Sequence, residues 1–405
     1  MNFTSRSCHK PKEGKTKSQL VIETMEQSSA STRSIPRAII LEILAKLPLK
    51  SVVRFRCVSK FCNSSAITPS FVKSHTTNFP IKPIGLLITC SARLQSGQLF
   101  FYADYNGGSA VPLLTIPPRF SRYTTKSLNG LLCLDFGICA QICNPSTRQA
   151  FTLPVVVPVN SPSASSTYFC VNSFGFDPLT KQYKVLNSWK IPGEDPEYRV
   201  FTLGTDQSWR LVKGGPSYYS QRESICIDGI IYFRCWTSTC ISSKAVLVAF
   251  DVGKETFQVI QIPDEISVDD KKSTDLIAFA GNPAIVSYNH IYDDEGSSLL
   301  IVWSVKDSIW DKHGLVMPSD LQELQTKQAQ LYYVAGTIQT GELVLAPRRV
   351  SRKQHFYVLY YDVLNNVFRR VEIFGLPDYA HQFNDFSCID TITVSNYEEN
   401  ILSFA

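Results

Sequence analysis

The stretch VLVAFDVGKETFQVIQIP, residues 246–263, decides the fold of this chain. An apolar run leads to Asp251, a polar turn follows, and an aromatic anchor, Phe257, stands six positions after the aspartate. A continuous apolar run bounded by turn residues reads as a strand buried on both faces, and the whole stretch as a hairpin. The pattern recurs. Asp362 leads to Phe368 in YVLYYDVLNNVFRRVEI, and Asn144 to Ala150 and Phe151 in ICNPSTRQAFTLP. Leu203 leads to Trp209 in YRVFTLGTDQSWRLV, and Ser304 to Trp310 in LLIVWSVKDSIWDKHGLVMP. FFYADYNGGSAVPLLTIP, led by Asp104, is a degenerate sixth copy. A fixed offset matters because loop length sets register, and register sets which face the anchor meets. The leading Asp and Asn residues read as caps of their own turns.

Successive lead residues are 40, 59, 48, 53 and 58 positions apart. Propeller blades take ~40–50 residues, and loops stretch that spacing. Further strand-like segments precede the hairpins: Leu131–Leu134, Ser173–Phe176 with Lys184–Leu186, Ile225–Phe233, Leu276–Ser287 and Leu331–Leu345. About four strands per unit are thus available, and six hairpins predict six blades. The first copy lacks opening strands, while Phe386–Val394 and Ile401–Phe404 are left over. The last strands are therefore expected to complete the first blade. A two-sheet β-sandwich is the alternative, favoured by the irregular repeat length.

Ahead of the repeat, the pattern is helical. Ile35, Ile39, Ile43 and Leu47 recur every four residues, with Ile40 and Leu44 beside them, as on an amphipathic helix. Ser34 is a suitable N-cap, Pro36 suits a first turn, and Pro48 ends the helix at Leu47. A second helix follows over Lys50–Val58, with Lys50 and Arg54 on its outer face. Ser59 caps a third, and Thr68-Pro69 opens a fourth that buries Phe71. A unit this small has little core of its own and should dock on something; by itself it is also readable as a helical hairpin capping a larger domain.

The helical stretch resembles an F-box. The matching points are Ile35-Pro36, Ile43-Leu44, Leu47-Pro48, Lys50-Ser51, Arg54-Phe55 and Val58-Ser59-Lys60. Two positions depart: Ile35 replaces the family's usual Leu, and Cys62 stands where Trp is usual. The remainder resembles the plant F-box-associated, kelch-like propeller domain. It matches in SLNGLLCL at 127–134, ICNPSTRQAFTLP at 142–154, SFGFDPLTKQYKVL at 173–186, TLGTDQSWR at 202–210 and YEENILSF at 397–404. The resemblance implies a mainly β chain, with a small all-α F-box at 34–78 and a propeller at 80–405; residues 1–33, polar and without period, read as a basic disordered arm. It further implies a substrate receptor of an SCF-type ubiquitin ligase. The F-box would bind a Skp-family adaptor, and through it a cullin–RING ligase, using Ile35, Pro36, Ile39, Ile43, Leu44, Leu47, Pro48, Leu49 and Val52. The propeller would hold a target protein. Cys62 leaves open a binding scaffold that engages no ligase.

Charge and composition narrow the classes. The first sixty residues carry a net +8 against +5 for the chain, so the basic excess lies at one end. An acidic protein partner fits that placement; nucleic acid would call for a longer basic stripe with interleaved aromatics. No run of ~20 apolar residues and no secretory leader are evident, and no membrane partner is expected. In the arm, Lys10, Lys12, Lys15 and Lys17 are a solvated basic tail or an import signal, and Met25 is an alternative start. The twelve cysteines show no C-x-x-C pair and no zinc spacing, and read as reduced, buried thiols in a cytoplasmic or nuclear setting.

Chemistry is sparse. G-x-S-x-G, G-x-G-x-x-G, P-loop and H-E-x-x-H motifs are absent, and neither cofactor nor metal is expected. His290 with Asp293, Asp294 and Glu295 is the one compact acid–histidine cluster, in a run of turn composition. It keeps a propeller hydrolase open as a rival to the non-catalytic adaptor. Target recognition is placed in long loops: Tyr218 and Tyr219 in KGGPSYYSQRE, Arg348, Arg349, Arg352 and Lys353 in a basic loop, and the stretches Lys190–Tyr198 and Asp264–Lys272.

Overall fold

A computed structural model describes residues 35–81, 83–91, 97–117, 124–157, 169–191, 194–236, 244–266, 274–292, 298–316, 332–347, 355–376 and 391–403. The arm, Ser34, and the residues Arg348, Arg349, Arg352, Lys353, Asp293, Asp294 and Glu295 lie outside them. Four helices come first: α1 (Arg37–Ala45), α2 (Leu49–Arg56), α3 (Lys60–Ala66) and α4 (Pro69–Asn78). The caps at α3 and α4 form as expected: Cys62 N donates to Ser59 Oγ (3.1 Å) and Phe71 N to Thr68 Oγ1 (3.4 Å). Pro36 differs from expectation: it occupies the N-cap position of α1 itself, with extended ψ, rather than the first turn. Pro48 lies just past the end of α1 and is the N-cap of α2.

The strands that follow are β1 (Pro83–Ser91), β2 (Gln98–Ala103), β3 (Gly108–Ser109) and β4 (Val111–Ile116). A second set is β5 (Thr124–Leu128), β6 (Leu131–Asp135), β7 (Ala140–Asn144) and β8 (Gln149–Thr152). The third is β9 (Phe169–Asp177), β10 (Gln182–Lys190), β11 (Glu197–Thr202) and β12 (Arg210–Val212). The fourth is β13 (Tyr219–Ile227), β14 (Ile230–Trp236), β15 (Ala245–Asp251) and β16 (Thr256–Gln261). The fifth is β17 (Thr274–Phe279), β18 (Asn282–Tyr292), β19 (Ser298–Lys306) and β20 (Ile309–Val316). Then come β21 (Tyr332–Thr337), β22 (Leu343–Pro347), β23 (Phe356–Asp362), β24 (Val367–Phe374) and β25 (Thr391–Glu398). They form six antiparallel sheets, the blades of a six-bladed propeller. The first blade is β25-β1-β2-β4, so the chain's last strand joins its first, in register from Leu86↔Asn396 to Ser91↔Thr391. β3 adds to the sixth blade through a parallel pairing with β24.

Each blade–blade interface holds its own apolar core, from Leu87, Phe100, Leu134 and Tyr397 between the first and second blades round to Ile88, Tyr360 and Val394 between the sixth and first. The repeated hairpins are the two outer strands of the blades, and their anchors reach neighbouring blades. Phe257 packs on Phe250 (4.8 Å) and on Tyr198 of the preceding blade (4.7 Å). Trp209 donates to Pro154 O (2.7 Å) and Trp310 to Gln261 O (2.8 Å), each in the blade before. The turn caps form at Asp104, Asn144, Asp251 and Asp362, whose Oδ1 atoms accept backbone N–H bonds of 2.8–3.0 Å. Leu203 and Ser304 do not cap. Asp206 takes that role in the third blade, and the Ser304 hairpin instead closes on the two-residue turn Asp307-Ser308.

Three of the strand-like stretches ahead of the hairpins are each two strands, which completes four per blade. Ile225–Phe233 breaks at Asp228-Gly229 and Leu276–Ser287 at Ala280-Gly281, where both turn residues have positive φ, as a type I′ hairpin requires. Leu331–Leu345 breaks between Thr337 and Leu343. The first blade also lacks only one strand of its own, because β1 is present; Ile401 does not extend the ring and goes elsewhere. Ring closure places a strict demand on Gly130, at φ +76°, where a Cβ would come within 2.5 Å of Glu398 O. Gly130→Ala should lose about 2 kcal/mol or more, since the left-handed conformation alone costs ~1–2 kcal/mol with a side chain. A lower urea midpoint at unchanged slope is the expected readout.

Candidate functional site

Helix α1 and the residues before it turn their isoleucine stripe outward. Ile35, Ile39 and Ile43 are 56%, 47% and 48% exposed, and Pro36 and Pro48 are also exposed. The opposite side of α1 faces inward: Leu44 and Ala45 are buried with Leu49, Val52, Cys62, Ala66 and Phe71. Leu44, Leu49 and Val52 were expected to contact an adaptor; their burial makes them interior residues that hold the unit together. Leu47 is half-buried. His75 Nε2 hydrogen-bonds Leu47 O (3.0 Å) and Asn78 Nδ2 donates to Ala45 O (2.9 Å), tying α4 to the end of α1. Burial holds the His75 pKa below the usual value, partly opposed by the hydrogen bond with Leu47 O. Phe55 and Val58 extend the exposed apolar surface. Cys62, where the resemblance expects Trp, belongs to this interior, so the departure alters internal packing and leaves the isoleucine stripe intact.

The two ends of the ring differ in kind. At one end lie the turns from each innermost strand to the next, as short as Asn129-Gly130, and the outer hairpin turns. The helical unit enters there, because Pro83 at the start of β1 pairs with Glu398 at the end of β25. At the other end lie all connections between second and third strands and between blades. Antiparallel alternation therefore puts the ends of β10, β12, β16 and β22, which lead into the four candidate stretches, at that end, away from the helices. Tyr218 and Tyr219 lie there, half-buried. Tyr219 meets Phe169 edge-on (5.3 Å) and lies under Lys190 Nζ (5.3 Å), while Tyr218 packs on the core between the third and fourth blades. The arginines of the basic loop follow β22 and are outside the described residues.

Sequence reading missed an apolar group at that end: Ile138, Val155, Val157 and Phe169, all exposed. Val156 N donates to Ile138 O (2.8 Å), which holds the two connections together. The run VVV between Pro154 and Pro158 was the available signal. Nearby, Asp135 is fully buried, accepts from Asn172 Nδ2 (2.7 Å), and lies 3.7 Å from Lys126 and 3.8 Å from half-exposed Arg222. A buried carboxylate between two cations fixes the second and third blades and orients Arg222 at the rim.

Along the axis runs a cavity of 430 Å³, lined by the innermost strands through Lys126, Ser224, Cys226, Thr337, Asn396 and Glu398 among others. Its described lining has no histidine. Burial pushes the Cys226 thiol up to about 11, and Cys133 and Cys143 to about 12, so these sulfurs are protonated small hydrophobes at neutral pH. Among the described residues no group of three His, Cys, Asp or Glu could hold a metal ion. Burial raises Glu398 to about 7, partly opposed by the Gly130 N–H. Its folded-state pKa lies above the unfolded one, so the unfolded chain ionises first and stability falls as pH rises from about 4.5 to 7. Glu398→Gln should match the wild type in urea at pH 4.5 and exceed it at pH 8.

These features agree with comparison to known proteins. The F-box domain family matches residues 33–74 and the F-box associated beta propeller domain family residues 108–397. The chain belongs to the F-box proteins with an F-box-associated propeller. Two relatives come from Arabidopsis thaliana. F-box protein DOR is 30% identical, covering 84% of this chain and 88% of its own length. F-box protein At1g30790 is 29% identical, covering 85% and 90%. Among solved structures, the WD40 domain of SCAP from fission yeast gives a TM-score of 0.30 at 8% identity, covering 74% of this chain and 90% of its own, too distant to inform function. An F-box ahead of its associated propeller supports, in general, a substrate-receptor role in an SCF-type ubiquitin ligase. No described helix is long and apolar enough to cross a membrane.

Proposed function

We propose that this chain binds a Skp-family adaptor through the exposed stripe of α1 and presents a target protein at the loop-bearing end of the ring, for ubiquitin transfer by other subunits of a cullin–RING ligase. The observation that carries this reading is the orientation of α1. A helix of a small unit normally buries its richest apolar stripe, yet Ile35, Ile39 and Ile43 stay about half exposed. Fully burying an isoleucine contributes about 1.5–3 kcal/mol, so covering the exposed halves of three would stabilise a complex by about 3 kcal/mol. Pro36 and Pro48 flank the stripe and add rigid contact area; Leu47 is reached at its edge. The basic surroundings, with Lys46, Lys50 and Arg54 exposed, suit an acidic partner.

On this reading the chain needs no nucleophile of its own, since holding target near the transfer machinery raises its effective concentration. Recognition falls to Tyr219, Arg222, Phe169, Ile138 and the valines, with Tyr218 and the basic-loop residues Arg348, Arg349 and Arg352 as further contributors. A cytoplasmic or nuclear setting is consistent with the free thiols. Ile39→Asp with Ile43→Asp should weaken pull-down of a purified Skp-family adaptor at least a hundredfold while the unfolding midpoint stays within experimental error. Undiminished binding by that double variant would sink the assignment. Phe169→Asp with Ile138→Asp should keep the adaptor and lose ligase targets from proteasome-inhibited cells; retention of the same targets argues against this surface.

A further inference from the structure

Residues Glu399–Ser403 leave β25 and extend the ring no further. Ile401, only 6% exposed, belongs to the buried cluster of the helical unit, with Leu44, Ala45, Leu49, Val52, Cys62, Ala66 and Phe71. The residues on either side of it face the propeller. Asn144 Nδ2 donates to both Asn400 O (2.9 Å) and Leu402 O (2.8 Å). Asn400, itself buried, donates through Nδ2 to Asn129 O (2.7 Å) and Tyr183 Oη (3.2 Å), and its Oδ1 accepts from Leu402 N (2.7 Å). Ser403 Oγ donates to Gln149 Oε1 (2.8 Å), and Leu402 packs on the core between the second and third blades. Alternation along an extended chain thus sends position 401 one way and 400 and 402 the other. Lys50 of α2 lies 3.8 Å from Glu399, a further link between unit and tail.

We propose that the tail Glu399–Ser403 is the seat that fixes the helical unit to the ring, with Ile401 and Asn400 as positioning residues for the adaptor relative to the target. The inference draws its functional consequence from the reading above, while the seat itself stands on the contacts alone. Without the tail, the helices would be joined to the ring by the short connection Phe79–Lys82 and would miss one member of their core. A unit with helices of 7–10 residues has little core to spare. Tethering without seating would let the adaptor end wander and dilute the effective concentration at the site of transfer. The tail thus sets one side chain, Ile401, in the core of the helical unit while its neighbours remain on the ring.

Hydrogen exchange and carbodiimide cross-linking on the full-length chain test this. Wild type, Ile401→Val, Ile401→Ala and Ile401→Asp are compared, with strands β13–β20 as the internal reference for ring integrity. The seat predicts that amides of α1–α4 exchange progressively faster through Val, Ala and Asp, at least tenfold for Asp, while β13–β20 keep their protection. It also predicts a zero-length Lys50–Glu399 cross-link in the wild type whose yield falls along the same series. Should Ile401→Asp fail to fold, the Val and Ala steps carry the comparison. Unchanged α1–α4 protection and cross-link yield in Ile401→Ala would overturn the proposal. Failure of the wild-type chain to bind a Skp-family adaptor would instead overturn the functional reading and leave the seat untouched.

Discussion

The antiparallel pairing of Thr391–Glu398 with Pro83–Ser91 is the contact on which the molecule depends. A propeller blade buries both faces against its neighbours, so an open ring would expose the cores on either side of the gap. Here the gap is closed by hydrogen bonds between segments some three hundred residues apart, and two cores, one on each flank of the first blade, draw on β25 through Tyr397 and Val394. The loop-closure entropy of that pairing is met by the area buried on both sides. The lack of room for a side chain at Gly130 follows from it, because the second blade's first turn passes against the backbone at Glu398.

Closure also decides where function can be placed. Once β25 is the innermost strand of the first blade, it ends beside the start of β1, at the end where the helical unit enters. Every long connection is then at the opposite end. A body with an apolar stripe at one end and a varied loop surface at the other is suited to bridge two proteins.

Much of the fold was legible because it repeats. The hairpin at Asp251 and Phe257 has local causes: an apolar strand, an aspartate that caps its turn, and an aromatic ring six residues on. Five other hairpins share enough of these features to be recognised. The helix caps at Ser59 and Thr68 were equally local. The four-strand count implied a turn within Ile225–Phe233 and within Leu276–Ser287 without locating it, because apolar residues continue on both sides of Asp228-Gly229 and Ala280-Gly281. Leu203 and Ser304 lead their hairpins at the same spacing with other turn chemistry: Asp206 accepts the backbone N–H in one, and the other has only a two-residue turn.

The sequence by itself determined the class of protein, the existence of the helical unit, the number of blades and the means of closing them. These rest on residue pattern within short windows and on a periodic repeat, which are properties of the chain's order. Only the tertiary structure decided which face of α1 looks outward. A stripe at spacing four marks an amphipathic helix without naming its partner, and both Ile39 and Leu44 belong to apolar rows. The placement of Leu44, Leu49 and Val52 inside depends on Phe71, Cys62 and distant Ile401 competing for the same space. The convergence of Ile138, Val157 and Phe169 at one end of the ring depends on strand direction in separate blades. Neither can be read along a chain, because each arises from contacts between segments that sequence distance does not relate.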